Sequence, residues 1–152
     1  MTMSNKEVIS VLNDVIENCK DGEYGFRACA EHVSSDELRS VLSRRADDCA
    51  VAAKELQAQV EMLGGKPDTG GSASGALHRG WVAVRDKLTG YTDLAMLEEC
   101  ERGEDVALAR YRKALERDLP PGVKTLIERQ FQGVLRNHDQ IRNLRNRLKT
   151  TA

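Results

Sequence analysis

The stretch Gly64-Gly-Lys-Pro-Asp-Thr-Gly-Gly-Ser-Ala-Ser74 is loop by composition, and the segment behind it, Gly75 to Leu88, is not. Leu77, Trp81, Val84 and Leu88 recur there at helical spacing, and Gly90 ends the run. A helix of 14 residues covers roughly 21 Å at 1.5 Å per residue. With the loop added, the connection from Gly64 to Tyr91 can travel the length of a long helix and deliver the chain back to its starting end.

On either side of this connection lie two pairs of amphipathic helices. The first helix is predicted from Asn5 to Val33, opened by a Ser4/Glu7 capping box and striped by Val8, Val11, Leu12, Val15, Ile16, Cys19, Phe26 and Cys29. Gly22 and Gly25 interrupt it at up to about 1 kcal/mol each, a cost that close approach of a neighbouring helix would offset. The second runs from Asp36 to Leu63, with Ser34/Glu37 as a second capping box and Gly64-Gly65 as its stop. The third spans Thr92 to Arg117, Pro120-Pro121-Gly122 breaks the chain, and the fourth spans Val123 to Leu148. Short links make each pair an antiparallel hairpin. The long helical crossover makes the second and third helices parallel, as in ferritin-like four-helix bundles rather than simple up-down winding. Residues 1–152 form one all-α domain on this reading.

Composition narrows the function. Charged residues are 31% of the chain and aromatics 4%, so Leu, Val, Ile and Ala supply most of the core. Net charge is −1, from 23 basic and 24 acidic residues, which supplies no field for nucleic acid. The basic run Arg136, Arg142, Arg145, Arg147 and Lys149 reads as a solvated helix face. Residues 1–5 lack a signal pattern, and no stretch has the roughly 18 apolar residues of a membrane span. A cytoplasmic protein is expected. Cys19, Cys29, Cys49 and Cys100 form no CxxC pair and sit on apolar stripes, as buried reduced thiols do.

The informative positions are polar residues on stripes that should be apolar. Glu101 and Glu104 stand three apart on the inner face of the third helix. His138 lies between Val134 and Ile141 on the fourth, and Glu23 beside the seam of the first. All are near mid-helix, so an antiparallel bundle brings them to one level. Buried carboxylates must be paired, protonated or bound to a cation. Glu23, Glu101, Glu104 and His138 are therefore the candidate ligands of one divalent ion, iron or manganese. A metal-free network, with Tyr24, Tyr111 or Arg102 as donors, is the favoured arrangement, and solvent-edge positions are the third. The full ligand set of a bundle-core metal centre is absent: Glu-x-x-Glu replaces Glu-x-x-His on the third helix, and Leu135 precedes His138 by three.

Other candidates are His32, a cap for the first helix, and His78, Arg79 and Trp81, which would dock the crossover helix. No phosphate loop, nucleophile elbow or zinc spacing occurs.

The segments Leu12–Gly22, Gly71–Trp81, Glu99–Asp105 and Asn137–Ile141 together resemble a bacterial family of ferritin-like four-helix-bundle proteins, domain of unknown function 2383. The resemblance covers nearly the whole chain. It implies the ferritin-like fold and no assigned reaction, and loosely suggests a bacterial stress setting. The expectation is a non-enzymatic bundle that self-associates through helix faces, as a dimer, with no nucleic-acid, membrane or identifiable small-molecule partner. The alternative is a metal-binding or redox protein with an incomplete core site, and a small-ligand carrier using the bundle interior is a third class.

Overall fold

The computed structural model describes residues 3–68 and 92–151. The expected crossover helix, with His78, Arg79 and Trp81, lies outside the described residues.

Among the described residues four helices form: α1 (Asn5–His32), α2 (Asp36–Met62), α3 (Asp93–Leu115) and α4 (Pro121–Thr151). The predicted capping box opens α1: Ser4 N–H donates to Glu7 Oε1 at 3.1 Å, and Glu7 N–H to Ser4 Oγ at 3.2 Å. At α2 the expectation fails by one residue. Ser35 is the N-cap, accepting from Leu38 N–H at 3.3 Å. Ser34 is committed elsewhere, donating its N–H and hydroxyl to the two oxygens of Asp93, each at 2.8 Å. This contact ties the α1–α2 turn to the first residue of α3. α4 begins at Pro121 rather than Val123, because proline's fixed φ and missing N–H suit a first helical position.

The side-chain contacts give the winding. Gly65 meets Ile9, Arg27 meets Asp47 and Gln130 meets Ala52, so α2 runs against both α1 and α4. Tyr111 bonds Gln130 and His138 bonds Asp105, so α3 and α4 are antiparallel. The turn before α2 abuts the start of α3, so α2 and α3 are parallel, as the long connection predicts.

Apolar side chains pack in two clusters. One gathers Val8, Leu12, Leu56, Val60, Tyr111 and Ile127; the other gathers Phe26, Leu42, Met96, Leu97, Cys100 and Ile141. Gly103 and Glu104 separate the two stretches of α3, and Asp21 to Gly25 those of α1. On the α1–α2 side this polar layer relies on close approach: a Cβ on Gly22 would lie 3.0 Å from Cys49 Sγ, the helix contact that compensates the glycine. All four thiols are free and buried, and burial raises Cys19 to about 11 and Cys49 to about 12.

Two measurements check this packing. Gly22→Val, which overfills the α1–α2 contact, is expected to lower unfolding free energy by about 1–3 kcal/mol. Gly122→Ala, where nothing lies within 4 Å and φ is not positive, should raise it by about 0.5–1 kcal/mol in the same denaturant titration. Iodoacetamide should leave the native protein unlabelled and modify all four cysteines once it is unfolded, read by mass spectrometry.

Candidate functional site

The polar layer centres on Glu104. On α3 it follows Cys100 by four residues and precedes Ala107 and Tyr111 by three and seven, so helical geometry turns it inward. It is 0% exposed. Arg45, 7% exposed, reaches it from α2. Arg45 Nε donates to Glu104 Oε1 at 2.7 Å, and Nη2 to Oε2 at 3.4 Å. The guanidinium also lies over the Phe26 ring, 5.3 Å from its centroid. Burial favours the neutral form of both groups. It pulls Arg45 down, but the neighbouring Cys49 and Glu104 more than reverse that and leave it raised. Burial pushes Glu104 up, and Arg45 and His138 reverse only part of the rise. These two directions pull against each other, since a raised arginine favours the ion pair and a raised glutamate weakens it. The two-pronged contact is the geometry of a charged pair, and arginine does not deprotonate in proteins.

The other three predicted ligands each have a partner of their own. Glu23 is partly exposed and lies 3.7 Å from Lys20 Nζ and 3.9 Å from Arg27 Nη2, both on α1. Glu101 pairs across the α3–α4 seam with Arg145. His138 Nε2 is 2.8 Å from Asp105 Oδ1, at the edge of the same seam. Among the described residues, no three His, Cys, Asp or Glu side chains come together as an ion would need. The expected donors are also engaged differently: Arg102 pairs with Glu99, and Tyr111 donates to Gln130 Oε1 at 2.9 Å while its oxygen lies 3.3 Å from Cys19 Sγ.

Sequence reading missed Arg45, Gln130, Asn18 and Asp21, all buried here. Arg45 carried a signal, lying three residues after Leu42 and four before Cys49, on the stripe. Gln130 is held by α2, its Nε2 donating to Ala52 O and to Glu55 Oε1, each at 3.2 Å. Beside this network lies a cavity of about 490 Å³ reaching from Asn18 and Gly22 on α1 to Arg136 and Asn137 on α4.

The arrangement does not suit a metal. Both oxygens of Glu104, the one carboxylate with no exposure among the described residues, are occupied by a cation from the chain itself.

Comparison with known proteins places this geometry. The chain superposes on the dodecameric thioferritin, the bacterioferritin-related protein of Bacteroides fragilis, with TM-score 0.80, 13% identity, and coverage of 99% of this chain and 90% of that one. The DPS protein of Vibrio cholerae O1, described as a member of a superfamily of ferritin-like diiron-carboxylate proteins, gives TM-score 0.75 at 16% identity, covering 92% and 89%. Dps of Thermosynechococcus elongatus gives TM-score 0.75 at 15% identity, covering 91% and 90%. These likenesses establish a ferritin-like four-helix bundle. No curated protein matches the chain. Residues 7–117, most of the sequence and the whole of the Arg45–Glu104 region, match one family, and the chain belongs to it: Domain of unknown function (DUF2383).

Proposed function

We propose that this protein is a non-enzymatic ferritin-like bundle whose interior charge is neutralised by its own arginine, and that it serves as a self-assembling structural unit. The Arg45–Glu104 pair carries the reading. A guanidinium held by both oxygens of the central carboxylate supplies the positive charge that a bound ion would otherwise bring to the bundle core. Self-assembly draws support from the fold: the Bacteroides fragilis neighbour is dodecameric. A closed homo-oligomer larger than a dimer is accordingly the expected state, measured by light scattering on the eluting protein. A strictly monomeric protein at high concentration removes that part of the proposal.

The second reading is a metal-binding or redox protein using Glu23, Glu101, Glu104 and His138 with iron or manganese. Two observations favour it: the likeness to a protein described as ferritin-like diiron-carboxylate, and the nearness of His138 to Glu104, close enough to lower its pKa. An ion there would have to displace Arg45 from the carboxylate.

Titration with Fe(II) and Mn(II), followed by elemental analysis, separates the readings. The first expects no stoichiometric metal; binding lost on Glu104→Ala would establish the second. Stability supplies an independent check. Arg45→Met or Glu104→Gln alone strands a buried charge and should cost about 3–5 kcal/mol. The double replacement Arg45→Met with Glu104→Leu should return stability to about the parent level or up to about 4 kcal/mol beyond it. The pH dependence has a definite sign. Glu104 is raised above 4.5, so its contribution is fully present below that value and lost as pH rises through the folded pKa. Arg45→Met removes a lowering influence, so its stability should fall more steeply on raising the pH than the parent's.

A further inference from the structure

We propose that the cavity beside the Arg45–Glu104 pair is a binding site for a small organic carboxylate. Its volume of about 490 Å³ falls within the range of roughly 300–1,000 Å³ usual for small-molecule sites. All five buried polar or charged residues recorded among the described residues line it: Asn18, Asp21, Arg45, Glu104 and Gln130. A polar wall of this kind, inside a bundle otherwise packed with aliphatic side chains, costs stability unless each group is satisfied.

An inventory of the wall shows which groups are spent. Glu104 is held by Arg45, and Gln130 by Ala52, Glu55 and Tyr111. Glu55 also accepts from Arg129 at 2.7 Å, and Asp21 is engaged. Two groups keep capacity. Arg45 uses Nε and Nη2 for Glu104, which leaves Nη1 free to donate. Asn18 is 9% exposed, and its side chain has no hydrogen-bond partner among the described residues. Both groups offer N–H donors, from α2 and α1, toward one space, a pairing that fits the two oxygens of a carboxylate.

Two of the four carboxylates that line the cavity, Glu104 and Glu55, are already held by Arg45 and Arg129. Cys19 and Cys49, raised to about 11 and about 12, add no negative charge at neutral pH. At the rim, Arg136 has no acidic partner among the described residues, and exposed Asp48 is the one rim acid not already held. Phe26, Ala107 and Val134 provide apolar wall for the hydrocarbon part.

Benzoate and its uncharged counterpart benzamide are the probes, titrated into the full-length isotope-labelled protein and followed by NMR. Benzoate is expected to shift the Asn18 side-chain amide and Arg45 Nε–H signals saturably, and to bind at least about tenfold more tightly than benzamide, or 1.4 kcal/mol. Asn18→Leu should abolish the shift at Arg45 while thermal melting confirms the fold. Arg136→Gln, an exposed rim change that leaves the core untouched, should weaken benzoate and not benzamide, which keeps the test decisive if the Asn18 variant does not fold. Absence of a saturable shift, equal binding of the two probes, or benzoate binding unchanged in both variants would overturn the proposal.

Discussion

A carboxylate with no exposure to water must be paired, protonated or bound to a cation, and in this bundle one side chain, Arg45, pairs with it. The effective penalty for burying each ion is several kcal/mol, so the pair contributes little net stability compared with apolar residues of the same volume. Its effect is on register. Arg45 and Glu104 lie 59 residues apart on parallel helices, and a slip of one turn between α2 and α3 would press both charges against aliphatic neighbours. The cavity and the Tyr111–Gln130–Glu55 network sit at the same level because polar groups placed there can satisfy one another.

The Vibrio cholerae neighbour is described as a member of a superfamily of ferritin-like diiron-carboxylate proteins; in this chain the guanidinium of Arg45 reaches both oxygens of the central carboxylate. The four predicted ligands are not idle. Each is matched with a cation or acid of its own: Glu23 along α1, Glu101 and His138 across the α3–α4 seam, and Glu104 across the bundle interior to Arg45 on α2. Convergence needs side chains whose only rewarding contact is at the centre. Lys20, Arg27 and Arg145 offer nearer contacts to two of the glutamates.

How much of this was legible beforehand depends on the range of the interaction. The helices, their order and the parallel placement of α2 and α3 follow from stripes, glycine and proline stops and the length of one connection, all local features. The inward turn of Glu104 was legible for the same reason. Its partner was not, although Arg45 stands on the stripe, because a long charged side chain near an apolar face is ordinarily read as reaching for solvent. The N-cap of α2 was missed by one residue for a related cause: Ser34 and Ser35 are equally good caps locally, and a tertiary contact with Asp93 decides between them. Asn18 and Gln130 gave no signal at all, since a neutral amide on a helix carries none until its neighbours are known.

The winding also sets an order of assembly. Each antiparallel hairpin brings together residues close in sequence, so α1 with α2 and α3 with α4 form at small loop-closure cost. Joining the hairpins demands contacts across far greater chain lengths, such as Cys19 with Tyr111, 92 residues apart. That same docking strips water from the carboxylate and guanidinium at the middle of the bundle. Burial of the charged pair is therefore a consequence of joining the two hairpins and of neither hairpin alone.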